Sequence, residues 1–154
     1  MMNKTTEQMR NEQLAITDKY FEEWHETGVE PSWDYHEEHE KIRKEWLLSL
    51  QVGDRAHVTF WTDTDPCTVI KRTKTTITVR YDKAELNGNW KPEVDLGGFV
   101  GHCTNQSKQY EGWTITEDPD GSTETFHWSE KKGRWQGRGC TLAPEWVKFY
   151  DYNF

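Results

Sequence analysis

RAHVTFW, residues 55–61, alternates polar and apolar side chains along most of its length. Alternation with a period of two is typical of a strand that buries one face. Val52-Gly53-Asp54 precedes this segment as a turn, and two further segments rich in β-branched residues follow at residues 67–72 and 75–81. Three short strands joined by tight turns predict a small barrel or a strongly bent antiparallel sheet.

The strand pattern continues toward the end of the chain. Further candidate strands lie at residues 99–103, 112–117, 123–128, 133–136 and 146–150. Between two of them, Asp118-Pro119-Asp120-Gly121 has the composition of a tight turn and predicts a hairpin. The Val-Gly-Asp opening with its three strands resembles an SH3-like barrel, a likeness of fold that implies no function.

The first 50 residues follow a helical period instead. Apolar side chains recur every few positions between residues 5 and 25, which predicts an amphipathic helix with a polar opposite face. These apolar residues are Met9, Leu14, Ile16, Tyr20, Phe21 and Trp24. Thr27-Gly28 ends this helix, and a second helix is predicted from about Ser32 to Leu50. We therefore predict an α+β protein, with residues 1–50 as a helical hairpin and residues 51–154 as a barrel-like, mostly antiparallel β domain.

Charge and composition restrict the function. The net charge is −8, and residues 1–50 hold 12 acidic against six basic side chains, so the predicted hairpin is the acidic part. An acidic chain is a poor binder of long nucleic acids, because phosphate contacts dominate that affinity. The sequence shows no membrane-length apolar run, no signal peptide and no disulfide framework among its three cysteines. We expect a soluble, cytoplasmic protein.

Five segments of the β region carry a family resemblance. They read FWTDTDP at 60–66, TVIKRT at 68–73, GFVGHC at 98–103, WSEKKG at 128–133 and KFYDYNF at 148–154. In these segments the chain resembles a family of small uncharacterised proteins from bacteriophages and prophages. The resemblance extends over residues 52–154 and implies a phage origin and action in the cytoplasm of a bacterial host. It brings no known activity, so no functional residue is carried over from it.

Acidic helices in a phage protein point to binding rather than catalysis. Carboxylates on a helical surface can mimic nucleic-acid phosphates and occupy a basic channel in another protein. We therefore expect a non-enzymatic, stoichiometric inhibitor of a host or defence factor such as a CRISPR nuclease, with no cofactor. The residues predicted to contact its basic surface are Glu22, Glu23, Glu26, Glu37, Glu38 and Glu40.

A first alternative is binding of a small nucleotide, which would sequester a signal. Basic runs at residues 71–74 and 131–138, the second with a Trp inside it, offer cations and a ring for a phosphate and a base. The segment GGFVGHCTNQ, residues 97–106, adds an imidazole and two amides. The residues predicted for this site are Trp61, Arg72, Arg80, His102, Asn105, Gln106, Arg134 and Arg138.

A second alternative is an enzyme. The triplets His57-Val58-Thr59 and His127-Trp128-Ser129 resemble the paired motifs of the 2H phosphoesterases, in which two histidines act as acid and base on a phosphodiester. The 2H fold places a helix in each half, whereas residues 52–154 are predicted to be almost all strand. Strands rich in threonine also produce such triplets by alternation alone.

The chain contains residue types that bind metals or act as thiol nucleophiles, but their spacing in the sequence is not that of a metal site or a catalytic site. His57, His102, Cys103, His127 and Cys140 include nitrogen and sulfur ligands for zinc, yet no Cys-x-x-Cys pair is present. Cys103 would need His57 or His127 to arrive from another strand as its base. Whether these side chains converge is a question for the structure, and the sequence predicts no metal site.

Overall fold

A computed structural model describes residues 6–31, 34–88, 90–97 and 101–153. The chain divides into two compact units, residues 1–50 and residues 51–154. The first unit is helical and the second consists mostly of antiparallel strands. The predicted α+β class and the barrel-like β domain are confirmed. No helix among the described residues is long and apolar enough to cross a membrane.

Two helices form the first unit. Helix α1 runs over Thr6–Thr27 and helix α2 over Asp34–Ser49. Gly28 ends α1 in the left-handed region, with φ of 68°, and its N–H donates to the Trp24 carbonyl at 2.9 Å. A glycine adopts this conformation without the steric cost that a Cβ would add. The predicted start of the second helix, Ser32, lies outside the described residues.

Ten short strands are present in the described part of the second unit. They are β1 Arg55–Thr59, β2 Thr64–Arg72, β3 Thr76–Tyr81, β4 Lys83–Leu86, β5 Val94–Asp95, β6 His102–Cys103, β7 Trp113–Thr116, β8 Thr123–Ser129, β9 Arg134–Gln136 and β10 Thr141–Pro144. A 3₁₀ helix over Gln106–Glu111 lies between β6 and β7.

Six of these strands close into a barrel in the order β1-β10-β9-β8-β3-β2. All neighbours are antiparallel, and the ring closes where β1 pairs with both β10 and β2. A bulge between Val69 and Lys71 interrupts the register of β2 against β3. Bulges increase the local twist of a strand, which helps a short sheet to close.

Alternate residues of the barrel strands form its core. The alternation predicted from residues 55–61 is seen in β1, where Ala56 and Val58 are fully buried between more exposed neighbours. Phe126 and Trp135 are the largest fully buried side chains of the second unit. Burying a large apolar side chain contributes about 1.5–3 kcal/mol, so rings of this size compensate for a small apolar fraction.

One predicted strand pairing is wrong. The turn at residues 118–121 exists, since the Gly121 N–H donates to the Asp118 carbonyl at 3.0 Å, but β7 and β8 do not form a hairpin. Strand β7 pairs with β4, and β8 pairs with β3 and β9. The turn crosses the end of β3 so closely that a Cβ on Gly121 would lie 2.0 Å from the Tyr81 carbonyl oxygen. The chain therefore leaves this turn beside β3 rather than beside β7.

The predicted strand at residues 146–150 is also wrong. Only a single bridge between Thr64 and Phe149 forms there, and the final barrel strand is β10 instead. The Trp146 indole N–H turns inward to the Cys67 carbonyl at 3.0 Å and to Asp82 Oδ2 at 3.1 Å. These tertiary contacts hold the segment against the barrel without a strand ladder.

Candidate functional site

Helix α1 places apolar side chains along two separate lines of its surface. The first line contains Met9, Gln13, Ile16 and Tyr20, which are buried or half-buried. A spacing of three or four residues puts them on one side of the helix. Hydrogen bonds from this side reach α2: Gln13 Nε2 donates to the His39 carbonyl at 3.1 Å. This line is therefore the one that packs on α2.

The second line, which we call the outer stripe, consists of Leu14, Thr17, Phe21 and Trp24. Leu14 is 53% exposed, Phe21 48% and Trp24 40%. The Phe21 and Trp24 rings stack with their centroids 6.4 Å apart and their planes at 10°. Isolated exposed apolar residues are ordinary, but several in one line form a patch of the kind found at interaction sites.

A groove of about 450 Å³ lies between the two helices beside the outer stripe. Its walls are Ile16, Thr17, Tyr20 and Phe21 of α1 and His36, His39 and Glu40 of α2. A second recess of about 380 Å³ is lined by Phe21, Trp24, His25 and Gly28. Phe21 lines both recesses, and we call the two together the trough. From Ile16 to Gly28 this trough is about 18 Å long at 1.5 Å per residue.

The predicted glutamates surround the hairpin. All six are exposed. Glu22 and Glu26 are four residues apart and therefore share one face of α1. Glu37 and Glu38 lie on the solvent side of α2, whereas Glu40 lines the groove. The hairpin thus combines an acidic surface with an apolar trough.

Two polar contacts define the wall of the groove. The Tyr20 hydroxyl donates to Glu30 Oε1 at 2.5 Å, and this hydrogen bond raises the pKa of Tyr20. The Thr17 hydroxyl lies 3.3 Å from His39 Nε2. Both contacts orient side chains that line the trough.

The residues predicted for a nucleotide site are spread over several strands and turns, and most of them contact the protein's own groups. Trp61 is 88% exposed before β2 begins, and Arg72 is the last residue of that strand. The nine residues of β2 correspond to about 26 Å of extended chain. Arg72 stacks on the buried Trp135 ring, 4.6 Å from its centroid, and Arg134 Nε donates to Gln136 Oε1 at 3.2 Å. Arg138 is exposed in the β9–β10 turn.

Arg80 belongs to an internal charge network. Its Nη2 lies 3.5 Å from Asp82 Oδ1 and 3.8 Å from Glu117 Oε1. The Asp82 side chain is fully buried and also accepts a hydrogen bond from the Thr68 hydroxyl at 2.5 Å. Arg55 Nη1 donates to Glu117 Oε1 at 2.6 Å. A buried carboxylate needs such partners, so Arg80 stabilises the fold.

The amides of the His102–Gln106 segment bind the protein's own backbone. Asn105 Oδ1 accepts from the Glu93 N–H at 2.9 Å, and Asn105 Nδ2 donates to the Lys91 carbonyl at 2.8 Å. Gln106 Oε1 accepts from the Tyr152 N–H at 3.0 Å. His102 is exposed on β6, and residues 98–100 lie outside the described residues. These amides shape the loops around them.

Gln109 was not singled out from the sequence, although it joins the C-terminal segment to the 3₁₀ helix. It is 1% exposed. Its Oε1 accepts from the Trp113 indole at 3.0 Å and from the Tyr150 N–H at 2.8 Å. Its Nε2 donates to the Gln106 and Tyr150 carbonyls at 3.0 and 2.8 Å. No sequence pattern distinguishes such an amide from an exposed one.

The two histidines of the phosphoesterase alternative are not brought together. His57 lies on β1 and His127 on β8, with β10 and β9 between these strands on one side and β2 and β3 on the other. Burial lowers the pKa of His57 to about 4, and its Nδ1 donates to the Glu145 carbonyl at 2.9 Å. His127 is exposed on the barrel exterior. One phosphodiester cannot contact both imidazoles in this arrangement.

The three thiols are buried. Burial raises the pKa of Cys67, and it raises the pKa of Cys140 to about 11, with a further contribution from Glu124 at 3.4 Å. Cys103 donates to Asn105 Oδ1 at 3.4 Å. Within the described ranges, no group of three His, Cys, Asp or Glu side chains is arranged to hold a metal ion.

Comparison with known proteins adds no relative: no protein-family model, no curated protein and no solved structure matches this chain.

Proposed function

We propose that this protein is a phage-encoded, non-enzymatic binding protein. Its acidic hairpin occupies a basic, nucleic-acid-binding surface of a host or defence protein in the bacterial cytoplasm and inhibits that protein stoichiometrically. The observation that supports this proposal is the contrast in how charge is used. Exposed carboxylates surround the hairpin, whereas Arg55, Arg72, Arg80 and Arg134 of the β domain contact the protein's own side chains.

Electrostatics favours a basic partner. Residues 1–50 account for −6 of the net charge of −8. An acidic surface accelerates encounter with a positively charged protein and excludes acidic competitors. A nucleic-acid-binding protein presents such a positive surface, since it is built to bind phosphates.

The barrel has no binding role in this proposal. Its consecutive strands β1, β2 and β3 form an antiparallel meander, and the last strand, β10, closes on β1. As part of the proposal we keep the SH3-like description of this barrel. Such barrels host many unrelated functions, so the function is assigned to the hairpin.

The proposal is tested with two variants that remove equal charge. One carries Glu22→Gln, Glu26→Gln, Glu37→Gln and Glu38→Gln. The control carries Glu85→Gln, Glu93→Gln, Glu111→Gln and Asp120→Asn, all exposed positions of the β domain. Each tagged protein is expressed in bacteria, and the proteins that co-purify at equimolar amounts are identified by mass spectrometry.

We expect the unmodified protein and the control to retain a basic protein that duplex DNA displaces, and the hairpin variant to lose it. The proposal is overturned if no basic protein is retained, if the hairpin variant retains it equally, or if DNA does not compete.

A further inference from the structure

Packing on α2 leaves Leu14, Phe21 and Trp24 of the outer stripe exposed, while Thr17 contacts α2 through His39. We propose that the trough along it binds an α-helix of the partner, one that is apolar on one face and has lysine or arginine on both flanks. This inference rests on the proposed function, because it identifies the partner element that the acidic hairpin receives.

The spacing of the stripe is that of a helix-packing seam. Leu14, Thr17, Phe21 and Trp24 are separated by three, four and three residues. This spacing averages close to the 3.5-residue repeat with which helices pack side by side. The trough is also open along about 18 Å, which is the length of about three helical turns. Two helices with an exposed seam lack only a third helix to complete a small bundle.

Phe21 is the expected anchor of this contact. It lines both recesses of the trough and stacks on Trp24, and the Tyr20 ring meets it edge-on with centroids 5.5 Å apart. Aromatic residues at the centre of a contact contribute a large share of binding energy when a partner excludes water from them.

The edges of the trough select the charge of the helix. Asp18 is exposed and adjoins the stripe on α1, since it follows Leu14 by four residues and precedes Phe21 by three. Glu40 lines the groove from α2. Basic side chains on both flanks of a bound helix would therefore meet carboxylates on both sides. A second copy of this hairpin would instead bring its own charge of −6 against the same edges, and like charges oppose that contact.

The test uses two synthetic peptides, each of about 18 residues so that the helix extends beyond the trough by nearly a turn at each end. Both have leucine at the seam positions; one has lysine at the flanks and the other glutamate. Binding to the full-length protein is measured by fluorescence anisotropy of a labelled peptide. The variants are Phe21→Ala with Trp24→Ala, and Phe21→Lys alone. Trp61→Ala is the control, because it removes an exposed ring from the β domain.

We expect the lysine-flanked peptide to bind and the glutamate-flanked peptide not to bind. The double alanine variant should weaken binding about tenfold or more, Phe21→Lys should weaken it at least as much, and Trp61→Ala should not change it. All three side chains are exposed, so circular dichroism should show the folded state in each variant. Equal affinity for the two peptides, or unchanged binding by both stripe variants, overturns the inference.

Two further results separate this inference from the proposed function. If the charge variant loses its co-purified protein and the double alanine variant keeps it, the acidic surface acts without the trough and the helix proposal fails alone. If light scattering shows a dimer that the double alanine variant abolishes, a second copy occupies the trough and the helix proposal is overturned.

Discussion

The hairpin and the core of the barrel place aromatic side chains in opposite environments. Trp135 and Phe126 are fully buried in the barrel, whereas Phe21 and Trp24 of the hairpin are 48% and 40% exposed. A buried ring stabilises the fold, and an exposed ring can bury its area only against another molecule. The buried rings of the barrel core therefore stabilise the fold, and the exposed rings of the outer stripe are the ones that we propose to bind a partner.

Charged side chains show the same division. In the β domain, Arg80 and Asp82 pair with each other, and the Asp82 side chain is fully buried. In the hairpin, Glu22 and Glu26 face solvent on one side of α1. Removing the buried charge of Asp82 should consequently lower stability, whereas removing the exposed charges of Glu22 and Glu26 should not.

The sharpest test of this division compares two ring deletions. Trp135→Ala removes a buried indole and should lower the free energy of unfolding by about 3–5 kcal/mol, while Phe21→Ala should lower it by less than about 1 kcal/mol. Urea denaturation followed by circular dichroism measures both. A similar loss for the two variants would mean that the outer stripe is part of the core.

The buried amide of Gln109 gives the next largest effect. Gln109→Leu leaves the Trp113 indole and the Tyr150 N–H without their acceptor, which should cost about 2–3 kcal/mol. Gln106→Leu removes a single acceptor, that of the Tyr152 N–H, and should cost about 1 kcal/mol. The same denaturation measurement compares them, and equal costs would contradict the assigned role of Gln109.

His57 should make stability depend on pH. Its folded-state pKa of about 4 is below its ordinary value of 6.5, so the unfolded chain binds the proton more tightly. The stabilising contribution is complete above pH 6.5 and is lost as the pH falls toward 4. Between pH 7.5 and 5.5 the loss should be about 1.4 kcal/mol.

His57→Gln should remove this component of the pH dependence, whereas replacement of the exposed His127 by Gln should leave it in place. The free energy of unfolding of both variants is measured at pH 7.5 and pH 5.5. An unchanged difference between the two pH values in His57→Gln would show that burial of this imidazole does not control its protonation.

The smallest effect on stability is expected from the hairpin carboxylates. Glu22→Gln together with Glu26→Gln removes a like-charge pair at a four-residue spacing and should stabilise the protein by no more than about 0.5 kcal/mol. The same change should weaken capture of the basic partner. Thermal melting checks the first expectation, and a marked destabilisation would mean that these carboxylates support the fold.

Much of this fold could be predicted because its periods are clear. β1 and β3 alternate apolar and polar residues, and α1 ends at Gly28 as its sequence indicates. β10 was missed because Thr141–Pro144 is short and contains proline, and only its pairing with β1 makes it a strand. The predicted β-hairpin at residues 118–121 is wrong because a turn motif does not specify which strand the chain pairs with next.

The candidate site was predictable in part. Exposure of Glu22 and Glu38 follows from polar positions on amphipathic helices. The outer stripe was not separated from the packing face, because Leu14 and Phe21 fit the same approximate helical period as Ile16 and Tyr20. Only the position of α2 distinguishes the two lines. The role of Asn105 could not be predicted, because the sequence does not distinguish an asparagine that binds a ligand from one that binds the protein's own backbone.

The central claim is that the hairpin is the binding surface, and crosslinking tests it most directly. A photo-crosslinking amino acid replaces Phe21 in one protein and the exposed Leu86 of the β domain in another, and each is irradiated in bacterial cells. We predict an adduct with a basic protein from position 21 and none from position 86. Adducts that form only from position 86 would contradict the account and move the binding surface to the β domain.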